Sequence, residues 1–173
     1  MKAKNRTLFV STCSILAAFS IILGKYLAIN IGTNFRLSFE NLPILLAGIY
    51  LGPIAGAVVG AVADLTGCLL VGYSINPLIT LGAVSIGFLS GLPSRIFRTR
   101  SSATVFISIF SAHLIGSVVI KTMALYLYYG SPLIPTAAWR ATIYGVTGTA
   151  EFAILYLLSK NKEFIKQMQN IHF

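Results

Sequence analysis

Apolar runs of about 20 residues recur along almost the whole of this 173-residue chain, and they restrict its fold more than any other feature. A helix rises about 1.5 Å per residue, so each run is long enough to cross roughly 30 Å of hydrocarbon. Because 56% of the residues are hydrophobic and 10% are charged, a water-soluble globule of this size would not bury its apolar side chains. The sequence therefore predicts an all-α integral membrane protein with a single domain over residues 1–173.

Three clusters of basic residues predict how the spans are oriented. They lie before the first apolar run, between the fourth and the fifth, and after the last: Lys2, Lys4 and Arg6; Arg95, Arg98 and Arg100; Lys160, Lys162 and Lys166. The positive-inside rule places all three clusters in the cytoplasm, so the net charge of +9 does not call for a nucleic-acid partner. An even number of spans satisfies this rule, and we predict six, with both termini cytoplasmic.

Glycine and proline mark the turns between the predicted spans. Gly52-Pro53 is expected to end the second span on the cytoplasmic side, because proline cannot extend a helix but can open the next one. Residues 72–76 and 130–135 are predicted to form outer turns, and residues 30–35 a polar outer loop that is either a connector or a lid over a site. The spans are predicted at about 6–29, 37–51, 53–71, 77–97, 102–129 and 137–159, followed by a basic helical tail.

Charged side chains within the spans mark a candidate ligand site, because an ionised group in hydrocarbon is costly unless it faces a wet cavity or a partner. Counting residues from the helix ends places Arg36, Glu40, Lys121 and Arg140 in the outer half and Asp64 near the middle. The three cations outnumber the two acids, and this spare positive charge suits an anionic ligand that enters from outside. The structural alternative is that Lys121 pairs with one of the acids while the arginines reach the membrane interface.

The remaining polar residues predict binding rather than catalysis. His113 is expected to be a packing histidine, and Glu151 to pair with groups on the cytoplasmic side or to seal the floor of the bundle. We expect no metal, since no second histidine or acidic cluster stands at coordination spacing, and no cofactor. There is no phosphate-binding glycine loop for ATP hydrolysis and no nucleophilic constellation of a membrane hydrolase, so the chain is not expected to be an enzyme.

Small residues four apart make a flat stripe on the first span. The pairs are Cys13 with Ala17 and Ser14 with Ala18. Such a stripe lets another helix approach closely in lipid. It is either a docking face for another subunit or a surface for internal packing.

The block FRLSFENLPILLAGIYLGPIAGAVVGAVADLTG, at residues 35–67, carries a resemblance to a known family. With the six short-looped helices and the small-residue stripe, the chain resembles, over essentially its whole length, a substrate-binding S component of an energy-coupling factor (ECF) vitamin transporter. Arg36, the Glu40-Asn41-Leu42-Pro43 segment, Gly52-Pro53 and Ala63-Asp64 are most similar to the folate-specific member of that family.

The resemblance implies a multi-pass protein of the bacterial plasma membrane that captures a vitamin from outside. It would dock through its first span on a transmembrane T component powered by two cytoplasmic ATPase subunits, and topple in the bilayer to release its load. The family's docking motif is alanine, three residues, alanine. Each of the two small-residue pairs matches it with one substitution.

For folate, the resemblance and the side-chain chemistry together imply specific contacts. A pterin ring offers adjacent N–H donors that the Asp64 carboxylate would accept side by side, with Glu40 as the second choice. Aromatic side chains would stack on the flat rings, unless they form the interfacial aromatic belt instead: Phe39, Tyr128 and Trp139. The two carboxylates of the glutamate tail would be neutralised nearer the mouth by one or more cations: Arg36, Lys121 and Arg140.

Other functions stay open from the sequence. A related S component for hydroxymethylpyrimidine, thiamine or riboflavin would share much of this pattern. A self-sufficient channel or facilitator would pass solute without an ATPase partner. A purely structural subunit of a membrane complex would bind no ligand tightly.

Overall fold

The computed structural model describes residues 3–31, 35–97, 99 and 101–171 as helices joined by short turns, with one small β-ribbon. The helices are α1 (Ala3–Ile21), α2 (Asn41–Leu46), α3 (Pro53–Leu70), α4 (Pro77–Ile96), α5 (Ser102–Ala112), α6 (Lys121–Tyr129), α7 (Leu133–Lys160) and α8 (Lys162–Ile171). Three π-helical segments continue them: π1 (Ile22–Tyr26) after α1, π2 (Ala47–Leu51) after α2, and π3 (His113–Ile120) between α5 and α6.

Five helical stretches are long and apolar enough to cross a membrane by length and composition. They are Arg6–Tyr26, Pro53–Leu70, Pro77–Ile96, Ser102–Tyr129 and Leu133–Lys160. These stretches match five of the six predicted spans, although the last begins at Leu133 rather than near residue 137. The second predicted span is shorter than expected, because its helix covers only Asn41–Leu51.

A two-stranded antiparallel ribbon explains the late start of that helix. Strand β1 (Ile29–Ile31) pairs with strand β2 (Phe35–Leu37), with Asn30 opposite Arg36. The prediction of a helix from about residue 37 is wrong here, since both strands alternate apolar, polar and apolar residues, a pattern that suits a strand. Residues 32–34 of the predicted outer loop lie outside the described residues, as do Arg98 and Arg100 of the second basic cluster.

Glycine backbones bring α3 and α4 into direct contact. A Cβ atom added to Gly87 on α4 would collide with the carbonyl of Gly56 on α3, and one added to Gly60 would collide with the carbonyl of Ala83. Helix α3 begins at Pro53, directly after Gly52, whose φ of 101° is accessible to glycine at little cost. The predicted Gly52-Pro53 turn is therefore confirmed, and it starts the α3–α4 pair on which the site depends.

The C-terminal helix closes one end of the bundle. The ring of Phe164 on α8 lies edge-on to that of Tyr50, with 5.2 Å between the ring centroids, and Met168 is 8% exposed. The Tyr50 hydroxyl donates to the carbonyl of Leu155 on α7 at 3.1 Å. The predicted helical tail thus forms part of the hydrophobic core.

We predict that Gly87→Ala lowers the stability of the detergent-purified protein by about 1–3 kcal/mol, because the new methyl group forces α3 and α4 apart. The measurement is thermal unfolding followed by size-exclusion chromatography. Gly145→Ala on α7 is the matched control, since a Cβ atom there meets nothing within 4 Å. Equal stability of the two variants would contradict the tight α3–α4 contact.

Candidate ligand-binding site

Four charged side chains meet in a small cavity between π1, the start of α2, α3, α4 and α6. They are Lys25, Glu40, Asp64 and Lys121, and we refer to them as the charged cluster. Ser20, Asn41, Ala63 and Ala83 also line the cavity, whose volume is about 20 Å³. A space of this size admits a water molecule and not a vitamin. The cluster is therefore closed over its own side chains in this structure.

Glu40 and Lys121 form an ion pair within the charged cluster. The Lys121 Nζ lies 3.4 Å from the Glu40 Oε1, and the two side chains are 8% and 27% exposed. The Ser20 hydroxyl donates to the Glu40 carbonyl at 2.6 Å, which joins α1 to the turn that carries the glutamate. The structural alternative for Lys121, a pairing with Glu40, is confirmed.

Asp64 is oriented by the first turn of α4. The Thr80 hydroxyl lies 2.7 Å from the Asp64 Oδ2 and donates to it. The side chain of Asn76 caps this helix by accepting from the backbone N–H groups of Leu78 and Ile79, and so fixes the turn that carries Thr80. This single side-chain hydrogen bond leaves most of the accepting capacity of the carboxylate for a ligand.

Three glycines make room for three members of the charged cluster. A Cβ atom on Gly24 would lie 2.8 Å from the Glu40 side chain, one on Gly67 would lie 2.9 Å from the Lys25 Cε, and one on Gly82 would lie 2.6 Å from the Lys121 Cγ. Each charged side chain thus lies against bare backbone of a neighbouring helix. The small-residue ladders therefore shape the site as well as the packing of the spans.

Lys25 is the cluster member that sequence reasoning missed. It lies in π1 at the end of the first span, half buried, with its ammonium 5.5 Å from the centroid of the Tyr73 ring. An isolated lysine at the end of an apolar run ordinarily extends to the interface. The available signal was that a lysine on the first span faces the same outer half as Glu40.

Asn41 adds an uncharged polar group to the cavity. It is 1% exposed, and its side-chain nitrogen and oxygen make no hydrogen bond to any described part of the protein. A buried amide without partners is unfavourable, so Asn41 offers a donor and an acceptor to whatever enters the cavity.

A second polar network links π3 to α7. The His113 Nε2 lies 2.6 Å from the Glu151 Oε2, and its Nδ1 lies 3.1 Å from the Ser117 hydroxyl. The Tyr144 ring stacks on the imidazole, with 4.9 Å between the ring centroids. His113 is buried and satisfied, as expected of a packing histidine. The expectation that Glu151 pairs with groups at the cytoplasmic ends is wrong, since its partner lies midway along the α5–π3–α6 helix.

The other residues predicted for the site do not line the cavity. Arg140 donates to the Ser117 carbonyl at 2.8 Å and to the Tyr144 hydroxyl at 3.2 Å. Tyr128 is 57% exposed and Trp139 38% exposed, and neither they nor Phe39 are among the lining residues. The side chain of Arg36 lies outside the described residues. The aromatic stacking contacts stay a prediction.

A larger cavity, of about 400 Å³, lies between α5–π3 and α7. It is lined mainly by apolar side chains and small residues, among them Phe106, Phe110, Gly145 and Phe152. None of the four residues of the charged cluster borders it. This cavity lacks the charges that would recognise a polar vitamin. No group of three or more His, Cys, Asp or Glu side chains suited to a metal ion occurs in the described part of the chain.

The structure separates the two predicted docking pairs on α1. Ala17 is 4% exposed, and Cys13 packs against the hydrophobic core, so this pair faces the inside of the bundle. Ser14 and Ala18 are exposed. The prediction that Cys13 and Ala17 belong to a docking face is therefore corrected, and only Ser14 and Ala18 present a small-residue face outward.

We predict that Glu40→Gln destabilises the protein by about 1–3 kcal/mol, because it leaves the buried Lys121 ammonium without its counterion. The control is the double variant Glu40→Gln/Lys121→Met, which removes both charges and should recover part of the loss. Unfolding temperatures of the two single variants and the double variant give the coupling. Strictly additive losses would show that the ion pair contributes nothing.

Comparison with known proteins places this geometry in a family. The model of the ECF transporter substrate-specific component matches residues 9–163. A curated protein of Mycoplasma pneumoniae, described as an uncharacterized MG313 homolog, is 30% identical over 118 residues, which are 66% of this chain and 41% of that protein. The chain therefore spans less than half the length of this relative.

Solved structures of S components share the fold. FolT bound with folic acid has a TM-score of 0.73 and 22% identity, over 88% of this chain and 93% of that one. The S component for biotin has a TM-score of 0.71 and 17% identity, over 93% and 95%. ThiT from Listeria monocytogenes has a TM-score of 0.64 and 18% identity, over 97% and 99%. These identities establish the fold and leave the ligand open. The chain belongs to the family of ECF transporter substrate-specific components, and it is a substrate-binding membrane subunit and not an enzyme.

Proposed function

We propose that this protein captures folate at the outer face of the bacterial cell membrane and delivers it to an ECF transporter. Membership of the family implies a small-molecule vitamin ligand and partners in the form of a T component and ATPase subunits. The proposal adds the identity of the vitamin, six membrane-crossing segments with both termini in the cytoplasm, and a charged cluster open to the outside.

The observation that carries the proposal is the orientation of Asp64. Its carboxylate lines the cavity, and Thr80 holds one of its oxygens. A pterin presents two adjacent N–H donors in one plane, which a carboxylate accepts side by side. The unpartnered amide of Asn41 in the same cavity supplies a further donor and acceptor for the edge of a heterocycle. The likeness to the FolT structure with folic acid supports the same choice.

The charge of the region fits the rest of folate. Lys25 and Lys121 lie in the cavity, and Arg140 interacts electrostatically with Lys121 from α7. Two carboxylates on a glutamate tail would compensate these cations, whereas a cationic vitamin such as thiamine would meet repulsion from them. Folate therefore agrees with both the donor and the charge pattern of the site.

Folate binding requires the charged cluster to open. A cavity of about 20 Å³ holds no pterin, so the side chains that fill it must move aside. The β-ribbon leads directly into Glu40, which makes this segment the element that would move with the ligand. Binding energy spent on this opening would lower affinity and gain selectivity for a ligand that replaces the displaced contacts.

The first test is a calorimetric titration of the detergent-purified protein with folic acid, with thiamine, riboflavin and biotin as controls. We expect near-stoichiometric binding of folic acid and none of the others. Binding of another vitamin instead would retain the family and overturn the substrate. Passage of folate through vesicles that contain only this protein would favour the facilitator.

We predict that Asp64→Asn weakens binding of both folic acid and a tail-less pterin by at least about tenfold, because the amide replaces one acceptor with a donor. Calorimetry with both ligands measures the effect. Glu163→Gln on the exposed side of α8 is the matched control and should bind like the wild type. Unchanged pterin binding by Asp64→Asn would assign the ring to Glu40 or Asn41.

Docking on the T component is proposed for the Ser14–Ala18 face of α1. We predict that Ala18→Trp abolishes folate uptake in cells while the isolated protein still binds folic acid, because the indole blocks close helix approach. Ala153→Trp on an exposed position of α7 is the control and should transport normally. Loss of both binding and uptake in Ala18→Trp would point to misfolding.

A further inference from the structure

We propose that Lys25 is the residue that binds the anionic group of the ligand, and that the site selects molecules with a donor edge at one end and a carboxylate at the other. This inference rests on the proposed location of the site and goes beyond it. It assigns anion recognition to a residue outside the predicted set of Arg36, Lys121 and Arg140.

Two of the predicted cations are already engaged within the protein. Lys121 is paired with Glu40 at 3.4 Å and has an 8% exposed side chain. Arg140 uses its guanidinium to hold the Ser117 carbonyl at 2.8 Å and the Tyr144 hydroxyl at 3.2 Å. A ligand that recruited either of them would first have to break these contacts. Breaking the Glu40 pair would also leave a carboxylate in the cavity without its counterion.

Lys25 is in a different position. Within the described part of the chain, its ammonium has no carboxylate within 4.0 Å, although Asp64 and Glu40 line the same cavity. Its charged end faces the Tyr73 ring at 5.5 Å, and its stem lies against Gly67. A half-buried cation held only by an aromatic face gains most from an anionic partner, because it is already partly desolvated.

The positions of Lys25 and Asp64 define the shape of the ligand. On α3, Gly67 lies about one turn closer than Asp64 to the end of the helix and to Tyr73. A ligand that donates to Asp64 therefore reaches Lys25 with the part nearer the Tyr73 turn. A planar donor edge would lie at the inner end and a carboxylate at the outer end, and the Glu40–Lys121 pair would remain intact between them.

The test compares Lys25→Met with the wild type by calorimetry, using folic acid and 6-hydroxymethylpterin, which lacks the glutamate tail. We expect Lys25→Met to weaken folic acid by at least about tenfold and the pterin by less than about threefold. Lys25→Arg retains the charge and should restore most of the folic acid affinity. Monodisperse elution and an unchanged unfolding temperature would show that Lys25→Met is folded.

The outcomes separate this inference from the proposed function. If the wild type failed to bind folic acid, the proposed function would fall and this inference with it. If the wild type bound folic acid and Lys25→Met bound it equally well, only the role of Lys25 would be overturned. Equal losses for folic acid and for the pterin would overturn it too, since they would show a structural role for Lys25.

Discussion

The cost of placing charge among membrane-spanning helices governs this structure. Glu40, Asp64 and Lys121 are each compensated by a specific neighbour, through an ion pair for two of them and through the Thr80 hydroxyl for Asp64. These compensating contacts join π2–α2, α3, α4 and α6, so the groups that would recognise a ligand also hold the bundle together. A ligand that enters the cavity must replace part of this compensation, and this requirement is a physical basis for selectivity.

Glycine packing is what makes room for these charges. Close contact between α3 and α4, for example at Gly56 and Gly87, leaves backbone where side chains would otherwise stand. The same device recurs around the cluster at Gly24, Gly67 and Gly82, where the charged stems lie. A membrane helix has little hydrophobic drive to associate with its neighbours, so this close approach supplies dispersion energy as well as space for the site.

Much of this arrangement could be predicted from the sequence, because it follows from hydropathy and from the rarity of charge within apolar runs. The five long spans, the Gly52-Pro53 turn and the pairing of Lys121 with Glu40 are of this kind. The β-ribbon and the inward orientation of Ala17 were not predictable in this way, since they depend on tertiary packing that overrides local pattern. Lys25 was missed because a lysine at a span end ordinarily extends to water, and only the neighbouring Gly67 face turns it toward the cavity.

The most direct test of the account is a crystal structure of the protein grown with folic acid. The account predicts that the pterin edge contacts Asp64 next to Thr80, that a carboxylate of the tail lies on Lys25 near Tyr73, and that Glu40 remains paired with Lys121. Folic acid bound instead in the 400 Å³ cavity between α5–π3 and α7 would contradict the assignment of the charged cluster as the ligand site.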